Sequence, residues 1–253
     1  PKNSDSAYRG LVSINDAMRL SLNTVAVKLV AEMGAETAFN FARDKMGLTS
    51  LVSEYVTSSG TVLSDIDLAP MARGGLTKGV TVRDMAEAYT TFPNNGLYRE
   101  GRTYTRVLDS NGKVVLDNTQ DSWMAMSQKR AWYSTYMMEN TVETGTGTGA
   151  QLENMAVAGK TGTTTSDYDR WFAGYTPYYT AVVWCGYDDP EEVVLTDTTE
   201  NPAVSLWQKV MAGIHEDLPS AEFEKPTDVV TVEYCRDSVL LATDACRKDP
   251  RGD

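Results

Sequence analysis

The feature that most constrains the fold is a change of hydrophobic period along the chain. Up to about residue 145 the apolar residues recur mainly at helical spacing, and three strand-like runs follow at residues 155–163, 170–175 and 180–187. Thr176 and Pro177 lie between the last two runs and predict an antiparallel hairpin. Residues 203–215 return to helical spacing with one apolar stripe. We therefore predict an α+β fold, an antiparallel sheet with flanking helices.

The first apolar-periodic segment is interrupted near its middle. Ser13 precedes it as a candidate N-cap with Asp16 in the first turn, and the irregular residues 21–23 predict two helices rather than one. Further helices are expected at about residues 35–46, 82–92 and 128–142, and a hairpin is expected around residues 109–112. This places a mostly helical region before the sheet.

Charge and histidine content exclude several functions. The chain has 23 Lys and Arg residues against 35 Asp and Glu residues, a net charge of −12, which argues against a nucleic-acid binder. No apolar run reaches the length of a membrane span. The single histidine, His215, cannot build a multi-histidine metal site and is interpreted as a polar residue near a helix end. We expect no metal and no cofactor.

The cysteines divide into two groups. Cys185 lies in an apolar run and is predicted to be a small buried hydrophobe. Cys235 and Cys246 lie close together among polar residues in a hairpin-like segment. Their spacing fits a disulfide and two separate thiols equally, and a disulfide would indicate an extracytoplasmic compartment.

Four consecutive residues at the end of the first strand-like run carry candidate chemistry. Lys160 supplies a positive charge, and the hydroxyls of Thr161 and Thr163 can bind a carboxylate. Gly162 would let a substrate backbone approach closely. A short motif of this kind also occurs by chance, so a second match is needed.

The irregular residues 21–23 between the two predicted helices supply a second candidate motif. Ser21 and Asn23 can point into a groove there, although the same pair can simply interrupt a helix. A second triplet of the same form, Ser13 to Asn15, is assigned to helix capping.

Longer segments carry a family resemblance from about residue 13 to residue 215. SINDAMRLSLNTVAVKLV at 13–30 resembles the SxN region of class A penicillin-binding proteins, and AGKTGTT at 158–164 is similar to their KTG strand. Three further matches are GVTVRDMAEAYTTF at 79–92, DSNGKVV at 109–115 and DRWFAGYTP at 169–177, with VWCGYD at 183–188 after them. The resemblance implies the penicillin-binding transpeptidase fold, which is shared with serine β-lactamases.

The resemblance also implies an activity, D,D-transpeptidation in peptidoglycan cross-linking. A serine of an SxxK motif is acylated by a stem peptide ending in D-Ala-D-Ala, and β-lactams mimic that donor. Ser21 and Lys160 would belong to the proton-transfer network, and Asn23 would orient the substrate amide. Thr161 and Thr163 would bind the terminal carboxylate beside Gly162, and the Thr163 backbone N–H would be an oxyanion donor.

The nucleophile itself is not found in this sequence. Ser110 is the one serine with a lysine three residues on, and that pair lies in a predicted turn after the SxN motif. We expect SxxK, the first strands of the sheet and a membrane anchor to lie upstream in a parent protein at the extracytoplasmic face. Family architecture suggests a glycosyltransferase domain there as well. This chain alone is therefore predicted to be inactive until a complementary N-terminal segment supplies the nucleophile.

The chain is predicted to divide into two regions. Residues 1–217 should form a partial transpeptidase domain, which is helical at about 13–150 and contains the sheet at about 151–217. Residues 218–253 should form a C-terminal extension with a hairpin.

Two other functions remain open. The first is a non-catalytic penicillin-binding-like interaction module. The second is a penicilloyl-serine β-lactamase or sensor, for which the sequence offers no recognisable deacylating base.

Overall fold

The computed structural model describes residues 1–164, 167–189, 191–195, 201–235 and 240–248. The described helices are α1 (Ile14–Arg19), α2 (Asn23–Met33), α3 (Ala35–Asn40), α4 (Leu68–Arg73), α5 (Val82–Thr90), α6 (Gln128–Thr144), α7 (Pro202–His215) and α8 (Asp244–Arg247). The described strands are β1 (Tyr55–Val56), β2 (Val62–Leu63), β3 (Leu97–Arg99), β4 (Arg106–Leu108), β5 (Val114–Asp117), β6 (Ser122–Met124), β7 (Ala158–Thr163), β8 (Asp169–Tyr175) and β9 (Thr180–Gly186).

The last three strands form the main sheet in the order β7-β8-β9, with both pairs antiparallel. Among the described strands, β7 lies at the edge of this sheet and pairs only with β8. Lys160 lies opposite Ala173, and Thr163 lies opposite Arg170. Since side chains alternate along a strand, Thr161 and Thr163 share one face of the sheet and Lys160 points to the other. The predicted α+β fold with an antiparallel sheet is confirmed.

Helix α7 covers the face of the sheet that carries Phe172. The rings of Phe172 and Trp207 meet edge to face with centroids 5.1 Å apart, and both side chains are fully buried. The Trp207 indole N–H donates to the Ala181 carbonyl at 3.0 Å. Cys185 is partly buried and packs against this cluster. The amphipathic stripe predicted at residues 203–215 thus closes the core.

Helices α5 and α6 lie against the opposite face. Tyr175 is buried there, and its hydroxyl lies 2.8 Å from the Thr135 hydroxyl of α6. Its ring stacks on Phe92 with centroids 6.0 Å apart. These contacts fix the long helix along β7, so the loop that follows α6 reaches the free edge of the sheet.

The predicted break between α1 and α2 is confirmed. Ser13 caps α1 by accepting the Asp16 N–H at 3.0 Å. Ser21 has φ of 54°, a left-handed conformation that ends the first helix before the second begins. Gly145 lies under this break, where an added Cβ would stand 2.5 Å from the Arg19 carbonyl oxygen. The glycine is needed for that close approach.

The other expectations for this region meet mixed outcomes. The helices near residues 82–92 and 128–142 and the hairpin β4-β5 are confirmed. The helix expected near residues 35–46 is also present, but only its first half is α3, and Phe41–Lys45 continue it as a π-helix. The sequence did not predict α4, the β1-β2 pair, or the pairing of β3 with β6 around the hairpin. These elements are short and partly exposed, so they lack a clear hydrophobic period.

His215 ends α7 as expected but is buried. Its ring nitrogens lie 2.8 Å from the Thr176 hydroxyl and 2.7 Å from the Met211 carbonyl. Both nitrogens are thus engaged within the fold, which gives the residue a structural role.

The disulfide considered for Cys235 and Cys246 is not formed. Cys246 lies on α8, with its Sγ 3.4 Å from the Thr243 hydroxyl, and the described residues contain no bond between the two cysteines. A short antiparallel bridge, Tyr234 with Leu241, stands where the hairpin was expected. Cys246 follows the bridge on a helical turn, which a cross-strand spacing argument does not anticipate. In the described ranges, no helix is long and apolar enough to cross a membrane.

Candidate functional site

The helix break and the edge strand meet in the folded chain. The Lys160 Nζ donates to the Ser21 Oγ at 2.8 Å, across a separation of 139 residues. It also donates to the Thr161 carbonyl at 3.0 Å. The left-handed turn at Ser21 places its hydroxyl at the edge of β7. Two motifs that the sequence treats independently therefore form one hydrogen-bonded pair.

The environment of Lys160 favours its neutral form. Burial lowers the pKa of the Lys160 ammonium to about 8 from its usual 10.5. Burial is the one cause of this shift, and the hydrogen-bond acceptors of the Lys160 ammonium among the described residues are a hydroxyl and a carbonyl. An amine with such a pKa can exchange a proton with a hydroxyl near neutral pH. Ser21 is the hydroxyl in reach.

Asn23 begins α2 and borders the same groove. Its side-chain amide donates to the Lys2 carbonyl at 3.1 Å. The neighbouring Asn3 is buried, and its side-chain oxygen accepts hydrogen bonds from the backbone and hydroxyl of Thr24, both at 3.1 Å. Asn3 thus satisfies a donor in the first turn of α2, a role that sequence analysis missed because the two residues are distant in the chain.

Thr161 is held by a residue that sequence analysis also missed. The Thr146 and Thr161 hydroxyls lie 2.7 Å apart. Thr146 belongs to the glycine-rich loop after α6, which is tied to α1 by a hydrogen bond from its own N–H to the Arg19 carbonyl at 3.3 Å. A threonine between two glycines does not by itself indicate such a contact, because its partner lies on a strand that begins more than ten residues later.

Glycine is required at position 162 by strand packing, in addition to the expected close approach of a substrate backbone. A Cβ added there would lie 3.0 Å from the Cβ of Trp171 on the neighbouring strand. That distance is tighter than ordinary van der Waals contact, so a larger residue would push the strands apart. Thr163, the next residue, is exposed at the strand end.

Two cavities border Ser21, and the first of them is also lined by Lys160. The first, about 370 Å³, is largely apolar and lies between β7 and the helices. Its side chains come from α1, α2, α4 and β7, including Ile14, Met18, Val25, Leu29, Ala72, Arg73 and Lys160. The second, about 530 Å³, is lined mainly by hydroxyl and amide side chains. Ser21, Asn23, Thr161 and Thr163 border both cavities. The structure therefore brings the predicted residues Ser21, Asn23, Lys160, Thr161, Gly162 and Thr163 together.

The Ser110 and Lys113 pair lies in a different place. It occupies the turn of the β4-β5 hairpin, where the Asp109 carboxylate accepts from the backbone N–H groups of Asn111 and Lys113, both at 2.9 Å. Neither residue lines the two cavities. Over the described residues there is also no cluster of His, Cys, Asp and Glu that could hold a metal ion.

The arrangement can transfer a proton and bind an anion. The lysine and serine form the proton-transfer pair, and the threonine hydroxyls offer donors to a carboxylate. The left-handed backbone at Ser21 is the kind of strained position that clusters at functional sites.

Known proteins resemble this chain in sequence and in fold. The family model for the penicillin binding protein transpeptidase domain matches residues 2–199. Penicillin-binding protein 1A of Clostridium botulinum (strain Hall) is 38% identical over 253 residues, which cover 100% of this chain and 29% of the relative. The crystal structure of penicillin-binding protein 1A from Haemophilus influenzae has a TM-score of 0.75 at 19% identity, with 96% of this chain and 40% of that chain covered. The PonA1 protein of Mycobacterium tuberculosis in complex with penicillin V has a TM-score of 0.73 at 24% identity, with 90% and 63% covered.

Proposed function

The chain belongs to the transpeptidase-domain family of penicillin-binding proteins, and from that premise we propose that it carries the substrate-binding part of a D,D-transpeptidase site. The observation that carries the proposal is the 2.8 Å contact between the Lys160 Nζ and the Ser21 Oγ. It joins the SxN and KTG segments as one proton-transfer unit. Ser21 also lines a cavity rich in hydroxyl groups, which suits the carboxylate end of a peptide.

The reaction has two steps, and the residues of this chain serve both. A serine oxygen attacks the carbonyl of the penultimate D-Ala, the peptide C–N bond breaks, and the terminal D-Ala leaves with a proton passed through Ser21 and Lys160. An acceptor amine then attacks the resulting ester, and the serine regains its proton. Asn23 orients the donor amide, while Thr161 and Thr163 bind the terminal carboxylate. The Thr163 backbone N–H stabilises the developing oxyanion.

The attacking serine is proposed to come from a segment outside this sequence. The one Ser-x-x-Lys pair present lies in a hairpin turn, so its two side chains lack a helix to set them on one face. The apolar cavity between α1, α2, α4 and β7 offers a place for such a helix, with Lys160 at its border. We therefore expect this chain alone not to form an acyl-enzyme.

One observation favours transpeptidation over β-lactam hydrolysis. A penicilloyl-serine β-lactamase needs a base that activates a deacylating water, usually a carboxylate. None of the described residues that line the two cavities is an aspartate or glutamate. A long-lived acyl-enzyme is expected from such a site once the serine is present.

The properties of the parent protein follow from its relatives. This chain spans 29% of the length of the clostridial relative, so the parent is proposed to contain further parts, among them a membrane anchor. Peptidoglycan stem peptides ending in D-Ala-D-Ala and β-lactams are the proposed partners, and penicillin V is bound in the similar PonA1 protein. The proposed location is the extracytoplasmic face of the bacterial membrane, where the substrate lies.

Labelling with a fluorescent penicillin tests the proposal. The 253-residue chain should remain unlabelled, and label should appear on a serine of an added upstream SxxK segment. Lys160→Met should abolish that label, whereas Lys113→Met, which removes the hairpin lysine, should leave it unchanged. Label mapped to Ser21 or Ser110 of the isolated chain would overturn the assignment of the nucleophile. A completed protein that never takes label would be the non-catalytic interaction module.

A further inference from the structure

Another cavity, of about 240 Å³, lies apart from Ser21 and Lys160. It opens between the residues after α5, the first half of α6, the turn between β8 and β9, and the segment after α7. Three of the side chains that line it are aromatic, Phe92, Trp132 and Phe223, and two are carboxylates, Glu222 and Glu224. None of its described lining residues is a lysine, arginine or histidine. We call it the aromatic cavity.

The rings of the aromatic cavity are held in place by the fold. Phe92 stacks on the buried Tyr175 ring with centroids 6.0 Å apart, and Phe223 meets the same ring edge to face at 5.4 Å. Trp132 stacks on Tyr136 of its own helix at 5.5 Å. Walls that are already ordered lose little conformational freedom when a ligand enters.

An ammonium group already lies against one of these rings. The Lys225 Nζ is 5.7 Å from the centroid of the Trp132 ring, within the range of a cation–π interaction, and donates to the Thr231 hydroxyl at 2.7 Å. Lys225 does not line the cavity itself. The fold therefore shows independently of the two glutamates that the Trp132 ring accepts a cation.

The carboxylates give the cavity a negative potential. Glu222 and Glu224 are both exposed, so they stand at its mouth. The charge of Glu222 also reaches α6, where burial, followed by the charges of Glu143 and Glu222, raises the pKa of the Glu139 carboxyl to about 7. Ring faces and carboxylates both attract a cation, and the same groups repel an anion.

The aromatic cavity is separate from the proposed reaction site. It shares no lining residue with the two cavities at Ser21. Its Pro177 follows Tyr175, which pairs with Ala158 at one end of β7, whereas Thr163 pairs with Arg170 at the other end. An amine held in the aromatic cavity is thus not placed to react at Ser21 and Lys160, so its role there is binding.

We propose that the aromatic cavity binds a lysine side chain of a partner polypeptide. The apolar stem of the lysine packs against Phe92 and Phe223, and its ammonium lies by Trp132 and donates to Glu222 or Glu224. A cavity of this size admits one long side chain, which would anchor a larger contact around it. The inference does not depend on the proposed transpeptidase reaction.

Peptide titration into the ¹⁵N-labelled 253-residue chain tests the proposal. The probes are N-acetyl-Gly-Lys-Gly-amide and the same peptide with norleucine in place of lysine, and the signal followed is the Trp132 indole N–H. The lysine peptide should bind about ten-fold more tightly, because norleucine keeps an apolar stem without the charge. Glu222→Gln combined with Glu224→Gln should remove most of that difference. Glu191→Gln combined with Glu192→Gln, two exposed carboxylates that do not line the cavity, should keep it.

Lys225→Gln gives a result that a purely structural role would not. This variant removes the positive charge that competes for Trp132, so the lysine peptide should bind about two-fold more tightly or better. Trp132→Leu should weaken binding of the lysine peptide to about the level of the norleucine peptide. If Trp132→Leu does not fold, the exposed glutamate variants still decide the matter.

Three results would overturn the proposal. The first is equal affinity of the wild-type chain for the lysine and norleucine peptides. The second is an unchanged difference in the folded Glu222→Gln and Glu224→Gln double variant. The third is tighter binding of a stem peptide with a free side-chain amine than of the lysine peptide, which would make the ligand a substrate rather than a partner. Penicillin labelling with the upstream segment present should be the same in the double variant and the wild type.

Discussion

The hydroxyls of Thr146 and Thr161 lie 2.7 Å apart and connect the loop after α6 to the edge strand β7. Through this contact the first helix pair, the long helix and the sheet meet at one point, because the loop is also bonded to Arg19 of α1. A hydroxyl whose position is fixed in this way loses little conformational freedom when it donates to a ligand.

Removal of the Thr146 hydroxyl should therefore weaken carboxylate binding. We expect Thr146→Val to raise the Kd for N-acetyl-D-Ala-D-Ala by about three- to ten-fold, because one hydrogen bond contributes about 1 kcal/mol. Thr146→Ser should restore the wild-type Kd. Thr144→Val is the matched control, since that hydroxyl bonds to Asn140 within its own helix. Equal affinity in Thr146→Val and Thr144→Val would contradict the role.

Because the pKa of Lys160 is lowered in the folded chain, the free energy of unfolding should depend on pH in the alkaline range. Its folded pKa, about 8, lies below its usual 10.5, so the unfolded state binds more protons between these values. The free energy of unfolding of wild-type protein, relative to Lys160→Met, should rise with pH through this window and level off above it. Urea unfolding of both proteins across the window measures the difference. A difference that stays constant or falls would show that the lysine is not perturbed.

Glu139 on α6 should make the free energy of unfolding fall as the pH rises, which is opposite to the effect of Lys160. Burial, followed by the charges of Glu143 and Glu222, raises the pKa of its carboxyl to about 7 from 4.5. The folded state therefore favours the protonated form, and the stability this gives is present below about pH 4.5 and is lost as the pH rises through about 7. Glu139→Gln should raise Tm at about pH 8 more than at about pH 5. Glu36→Gln, an exposed residue on α3, should change Tm equally little at both.

Trp207 should be the side chain of α7 that stabilises the sheet most. It is fully buried against Phe172 and donates to the Ala181 carbonyl. Trp207→Ala should lower the free energy of unfolding by about 3–5 kcal/mol. The control is Tyr133→Ala, an exposed side chain on α6, for which we expect about 0.5 kcal/mol or less. Similar losses for both, measured by urea unfolding, would show that the α7 interface is not the core.

The apolar face of the first two helices should cause self-association. Ile14 and Leu29 line the apolar cavity and are 49% and 38% exposed. We expect sedimentation velocity to report a concentration-dependent dimer or larger species, since such patches commonly mark contact surfaces. Ile14→Glu with Leu29→Glu should reduce it. Val107→Glu, on the exposed β4-β5 hairpin, should not. A wild-type chain that is monomeric throughout would contradict the prediction.

Regular periodicity and capping residues account for most of the fold that could be predicted. Ser13 and the turn at residues 109–112 each act through neighbours a few residues away, so their effect is visible in the sequence. The pairing of β3 with β6 joins segments separated by a whole hairpin, and no local pattern encodes it. Cys246 shows the same limit, because its place on a helical turn depends on the bridge before it.

The site was predictable where it coincides with family motifs. Ser21, Asn23, Lys160, Thr161 and Thr163 were identified in that way, and the fold brings them together. Asn3 and Thr146 were missed, because each contacts a residue that is near only in space.

Ser21 and Thr161 bring the same functional group to the site on different backbones. Ser21 has φ of 54°, a region in which a branched Cβ collides with its own main chain. Thr161 lies in an extended strand, where a branched Cβ fits well. The exchange of one hydroxyl amino acid for the other is therefore one-sided: serine can replace threonine on the strand, whereas threonine cannot replace serine at the turn.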